Sequence, residues 1–178
     1  MKGFALAGVA GALVAGAVAP ASAASTGTQD RVPKGYGNIH LEKLFGSGGK
    51  CLSMDNSKAN KAVLKLRKCV KKGATQRWDL VWINDDKPKD PFNKYVIKNK
   101  HSKKCLYVPS SKTNTQVRQT TCKTGSKAQQ WRFAASTITN LSAKKLLTAN
   151  SDKAGTKITI APRDGSGKGR GKQEWGLS

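Results

Sequence analysis

The sequence predicts an all-β fold made of three copies of one repeat, closed around a pseudo-threefold axis. The first observation is a tripeptide pattern. Gln76-Arg77-Trp78, Gln129-Gln130-Trp131 and Gln173-Glu174-Trp175 all read Q-x-W, each followed two residues on by Leu80, Phe133 or Leu177. The tryptophans lie 53 and 44 residues apart, and self-similarity at such a period marks a repeat architecture. The second observation is a shared frame. Lys50-Cys51-Leu52, Lys104-Cys105-Leu106 and Lys145-Leu146-Leu147 correspond, and the second cysteine follows the first by 18 residues in copy one and 17 in copy two. In copy three, 17 residues past Leu146 falls on Arg163. The third observation is strand chemistry. Val63-Leu64-Lys65-Leu66, Tyr95-Val96-Ile97-Lys98 and Lys157-Ile158-Thr159-Ile160 are β-branched or alternating runs. Clusters such as Gly46-Ser47-Gly48-Gly49 and Asn84-Asp85-Asp86-Lys87-Pro88 punctuate them, and no long helical period intervenes.

Each recurring element has a physical job. Gln and Trp two residues apart would share one strand face. The indole then enters the core, and the amide satisfies nearby backbone groups. Packing is the expected role of these tryptophans, in preference to exposed sugar platforms. Corresponding cysteines of different copies would sit far apart around the axis, whereas those of one copy close a short loop. The expected pairs are therefore Cys51–Cys69 and Cys105–Cys122, each stabilising by about 3 kcal/mol through loop closure. Ile97-Lys98-Asn99 and Ile138-Thr139-Asn140 both start 8 residues before the first cysteine position. Asn140-Leu141-Ser142 is a glycosylation sequon, but its alignment with Asn99 favours a structural role for the asparagine.

The N-terminus reads as a targeting segment. Lys2 precedes an uncharged Ala/Gly/Val-rich stretch, Gly3 to Ala19, then Pro20 and an A-x-A site, Ala21-Ser22-Ala23. Residues 1–23 are expected to be a signal peptide, 24–35 a disordered leader, and 36–178 one folded domain with repeats at about 36–82, 92–133 and 136–178. The stretch is short and weakly apolar for a transmembrane helix, and no later segment could span a bilayer. Secretion is also the compartment in which an even cysteine count gives disulfides. Loss of Lys2 takes the net charge from +23 to +22. That excess favours polyanions, or serves solubility.

These residues resemble the ricin B-type lectin family, a β-trefoil. The resemblance spans about residues 36–178 and rests on the Lys-Cys-Leu pairs, the second cysteines and the three Q-x-W motifs. Tyr95-Val96-Ile97-Lys98-Asn99 leading to Ser102-Lys103-Lys104-Cys105-Leu106 matches closely. It implies a sugar-binding module, typically for galactose or N-acetylgalactosamine. The family's site uses an Asp two residues after the first cysteine, an aromatic two before the second, and an Asn just before the Q-x-W glutamine. Here the Asp positions hold Ser53, Tyr107 and Thr148. The aromatic positions hold Arg67, Thr120 and Ala161, and the Asn positions hold Thr75, Ala128 and Lys172. No copy keeps one member, so galactose specificity does not carry over.

Carbohydrate candidates remain at Asp55, which faces as Ser53 does if the strand continues, and at Tyr107 with Asn114. A second candidate is an anion-binding loop. Arg163 to Gln173 takes 10 residues where the other copies take 7 from second cysteine to glutamine, and it is rich in Gly, Lys and Arg. Arg163, Lys168, Arg170 and Lys172 are its expected contacts. Lys68, Lys71 and Lys72 in copy one, and Lys123 and Lys127 in copy two, hold equivalent stretches. Neither a catalytic constellation nor a metal-ligand spacing is present: His40 and His101 lack evident partners, and no cofactor is implied. The expectation is a secreted, non-enzymatic, lectin-like protein whose partners are glycans, acidic ones included. The alternative is a toxin-accessory or effector protein using the trefoil as a scaffold for a partner chain or host surface. Nucleic acid is disfavoured, because the few aromatics sit at core-like positions rather than as stacking platforms.

Overall fold

The computed structural model describes residues 32–46, 48–83, 94–166 and 170–178. The expected signal peptide, most of the leader, and the Asn84–Pro88 cluster lie outside them. Twelve short strands form three equivalent groups of four. Copy one holds β1 Leu41–Lys43, β2 Lys50–Ser53, β3 Lys65–Lys68 and β4 Trp78–Ile83. Copy two holds β5 Lys94–Asn99, β6 Cys105–Tyr107, β7 Arg118–Thr120 and β8 Gln130–Ala134. Copy three holds β9 Thr137–Asn140, β10 Lys145–Ala149, β11 Ile158–Ala161 and β12 Trp175–Leu177.

The first and last strands of each copy build a barrel. Antiparallel pairs join β4 to β5, β5 to β8, β8 to β9, and β12 to β1. Bonds from Trp78 to Ile39 and from the Trp175 amide to the Ser136 carbonyl complete the ring. The middle strands make three hairpins, β2–β3, β6–β7 and β10–β11. Among the described residues closure leaves no long unpaired edge, which is how an all-β chain avoids edge-to-edge association. This is a β-trefoil: it has the threefold closure that the repeat frame predicts and the fold that the family resemblance implies.

One shared core fills the barrel. Trp78 and Trp131 are 0% exposed and Trp175 is 3%. They pack with Leu41, Leu66, Ile97, Leu106, Ile138 and Leu147, each such side chain stabilising by about 1.5–3 kcal/mol when buried. Each indole also donates to a carbonyl three copies alike: Trp78 to Leu52 at 3.3 Å, Trp131 to Leu106 at 3.3 Å, Trp175 to Leu147 at 3.0 Å. No copy could bury its own face, so the tryptophans stabilise all three together.

The glutamines differ from the strand-face expectation. Gln76 and Gln129 end 3-10 turns at Ala74–Gln76 and Lys127–Gln129, and Gln173 ends a helical turn at Arg170–Gln173. The chain must turn there from hairpin back to barrel, so only the Trp lies on a strand. The buried amide clamps the turn. Gln76 accepts from the Val70 amide and donates to the Lys68 carbonyl; Gln129 does so with Lys123 and Thr121, and Gln173 with Asp164 and Pro162.

Both disulfides form as the repeats require, Cys51–Cys69 and Cys105–Cys122. Asn99 and Asn140, both 0% exposed, are brackets. Asn140 donates to the Ala128 and Gln130 carbonyls and accepts from the Ser142 and Ala143 amides. Asn99 does the same with Thr75, Arg77, His101 and Ser102. In copy one the register puts Lys43 at this position, because Glu42 pairs with Cys51 as Lys98 pairs with Cys105. Its buried ammonium donates to the Phe45 carbonyl at 3.0 Å and pairs with Asp152 of copy three. Gly46, at φ +104°, lies so close to the Asp152 carboxylate that a side chain there would collide with it.

Candidate functional site

The sugar positions of the three lobes are all remodelled. In copy one β2 ends at Ser53, so the strand does not continue to Asp55, which sits in a turn at φ 50°. Ser53 is buried and its hydroxyl accepts from the Asp55 amide at 3.0 Å. The Asp55 carboxylate takes a two-pronged bond from Arg67, 2.8 and 2.9 Å, and an ion pair with Lys65 at 3.2 Å. Arg67 holds the carboxyl below its ordinary range, by hydrogen bonding before charge. The residue at the aromatic position thus consumes the carboxylate that a sugar hydroxyl would need.

Copies two and three are altered differently. Tyr107 is half-buried in β6 and paired with Arg118 across the hairpin, while Asn114 is exposed in a turn at φ 65°. The two lie near opposite ends of the β6–β7 connection, four residues before Arg118 in the case of Asn114. Thr148 is buried, donating to the Leu146 carbonyl and accepting from Gln173. Ala161, at the stacking position, offers no ring.

The basic loop of copy three borders a cleft of about 200 Å³ lined by Thr137, Leu146, Arg163, Asp164, Gln173 and Glu174. It opens where the other copies have a disulfide, since Leu146 and Arg163 stand in the cysteine frame. Arg163 is exposed, with one guanidinium nitrogen 3.5 Å from the Thr137 hydroxyl. Asp164 accepts from the Ser166 amide and hydroxyl, which hold its carboxyl low. With Glu174 it makes the cleft mixed in charge rather than purely cationic. Lys172 is exposed on the helical turn. Lys168 lies outside the described residues, as does the side chain of Arg170. Lys68, Lys71, Lys72, Lys123 and Lys127 are exposed on the two equivalent turns, which the glutamine clamps hold in corresponding positions.

The sequence did not single out Thr137 and Glu174 of the cleft, nor the Lys43–Asp152 pair. Thr137 and Glu174 come to Arg163 only through barrel closure. Lys43 carried a faint signal, since the connection from β1 to β2, read from Glu42 to Cys51, is two residues longer than those from Lys98 to Cys105 and from Thr139 to Leu146.

Fold and lobes define a lectin-type β-trefoil module, a carbohydrate-binding rather than catalytic class of domain. The profile of the ricin-type beta-trefoil lectin domain matches residues 38–175, and the chain belongs to that family. A designed threefold-symmetric protein, ThreeFoil, superposes with a TM-score of 0.63 at 23% identity, over 78% of this chain and 96% of that one. The C-half of the earthworm R-type lectin, in complex with GalNAc, gives 0.53 at 18% identity, over 79% and 98%. The cytolethal distending toxin of Actinobacillus actinomycetemcomitans gives 0.61 at 17% identity, over 82% and 94%. Such identities establish the fold alone. A search of curated proteins found no match. Among the described residues no helix is long and apolar enough to cross a membrane.

Proposed function

We propose that this is a secreted, lectin-like carbohydrate-binding protein whose ligand is an acidic glycan rather than galactose. The observation that carries the reading is the copy-one lobe. There the Asp55 carboxylate beside the sugar position is paired with Arg67 and Lys65, which leaves the lobe a face for anions. The charge of +23 on the chain supports it, because exposed lysines on equivalent turns add up along a long polyanion even though each contact is screened. Arg163 and Lys172 would extend that surface in copy three. A glycan array at low and high salt tests this. Sulfated or uronic glycans should bind and lose signal with salt; galactosides binding equally at both salts would overturn it.

A second reading is favoured by one surface feature. Leu44 and Phe45 are 48% and 52% exposed, beside Gly176 and Gly171. An apolar step of that kind suits a partner protein, and a trefoil of this shape occurs in a toxin. Co-purification of a partner that L44S/F45S abolishes, with no hit on the array, would favour this scaffold role.

A further inference from the structure

The three hairpins converge on the pseudo-threefold axis, and the outer face of that cap has its own chemistry. Three isolated bridges join the hairpins: Val63 with Arg118, Lys65 with Lys157, and Gln116 with Thr159. In each case the flanking residues exchange the hydrogen bonds. Leu64 donates to Val117 and Gln119 to Ala62; Leu66 to Thr156 and Ile158 to Leu64; Val117 to Ile158 and Ile160 to Thr115. That is the non-hydrogen-bonded pairing, in which facing side chains come closest. The intervening residues Leu64, Val117 and Ile158 are 0% exposed and face the core. By strand alternation the six bridge residues form one ring on the other side.

This ring is rich in donors. Lys65, Arg118 and Lys157 bring three cations from three different copies, and Gln116 and Thr159 bring an amide and a hydroxyl. Arg67 lies next to Lys65 on β3, and Asp55 is the carboxylate that balances part of this charge. The Lys157 ammonium is exposed and has no partner among the described residues. Two donors are shielded from water without a partner, Arg118 Nε and Thr159 Oγ1, and Thr159 is only 8% exposed. Buried polar groups ordinarily find partners. Guanidinium and ammonium groups can only donate, so the ligand that completes the set is one that only accepts and carries negative charge. A metal ion is repelled, and a neutral sugar hydroxyl cannot supply the charge.

We infer that the axial ring of Lys65, Gln116, Arg118, Lys157 and Thr159 binds one tetrahedral oxyanion, a sulfate or a phosphate group. The Arg118 guanidinium donates to the Lys61 carbonyl through Nη1, which leaves its Nε for the anion. The site is separate from the Arg163 cleft and does not depend on the glycan reading.

The test is a ¹⁵N–¹H titration of the full protein with sodium sulfate, sodium phosphate and a sulfated disaccharide, at constant ionic strength set with sodium chloride. Saturable shifts should concentrate at residues 63–65, 116–118 and 157–159. The K157Q variant, at an exposed position, should keep a folded spectrum and bind at least tenfold more weakly; R118Q should do the same, and K112Q, at an exposed position in the β6–β7 connection outside the ring, should bind as the parent does. Binding of the free ions but not the disaccharide would assign the site to a small anion, and binding of the disaccharide would assign it to a glycan-borne sulfate. Shifts scattered over surface lysines, or an affinity unchanged by K157Q, would overturn the inference. An anion affinity unchanged by K157Q in the titration, beside an intact acidic-glycan signal on the array, would sink this site alone and not the proposed function.

Discussion

Copy three should accept the disulfide it lacks. Leu146 pairs with Ala161 as Cys105 pairs with Thr120 and Cys51 with Arg67. The Asp164 amide meets Gln173 as the amides after Cys69 and Cys122 meet their glutamines. Leu146 and Arg163 therefore occupy the positions that are bonded elsewhere, with Cα–Cα separations of 5.0 and 4.9 Å in the two existing bridges. In L146C/R163C the new loop would match the 17-residue loop of copy two, and closing it constrains the unfolded chain by about 3 kcal/mol. Leu146 is 4% exposed, so its loss costs about 1.5–3 kcal/mol of burial. The oxidised variant should then be close to the parent in stability. The informative comparison is L146A/R163A, which loses the same side chains and cannot cross-link. Urea unfolding should separate the two by about 3 kcal/mol, and thermal unfolding by about 6–12 °C at this chain length. Two titratable thiols in the double cysteine variant, or equal stability of the pair, would refute the frame.

Three other outcomes are expected. Asn140→Asp replaces the amide donors facing the Ala128 and Gln130 carbonyls with an oxygen, leaving two buried acceptors unpaired. At about 1–3 kcal/mol for each, urea unfolding should show a loss of roughly 2–6 kcal/mol; a loss below about 1 kcal/mol would deny the bracket its role. Stability should fall on acidification in two stages. His40 is held below its ordinary value of 6.5 by burial and then by Arg77, so the unfolded chain takes up a proton first and stability declines as pH drops below about 6.5. The Asp55 ion pairs are fully present above 3.8 and are lost as pH falls through the lower folded value. H40N should flatten the upper stage and D55N the lower, in unfolding curves collected from pH 8 to pH 3. Finally, galactose should produce no saturable shifts at Ser53, Tyr107 or Thr148 in ¹⁵N–¹H spectra, and density for galactose beside any of them in a soaked crystal would contradict the lobe chemistry.

The sequence alone determined the repeat, because Q-x-W, Lys-Cys-Leu and the cysteine intervals are local patterns that each copy must carry to build its own hairpin and turn. From that frame the disulfides, the buried tryptophans and closure around a threefold axis could be read, and Asn140 could be assigned to structure despite its sequon; the trefoil by name and the replaced sugar residues came with the family resemblance that the same motifs carry. Local pattern could not show that the glutamines leave the strand, because the turn back to the barrel is imposed by closure rather than by residue type. Nor could it show that Arg67 captures Asp55, 12 residues away, once β2 stops at Ser53. The contacts between copies lay furthest from view. Lys43 reaches Asp152 across 109 positions, and Lys65, Arg118, Lys157 and Thr159 meet on the axis from three hairpins that never pair within one copy. Such contacts depend on the stagger of six barrel strands around a common core, a property of the closed ring and of no single segment; tertiary structure therefore decided where the charge of this chain is gathered, while the sequence decided only that it is there.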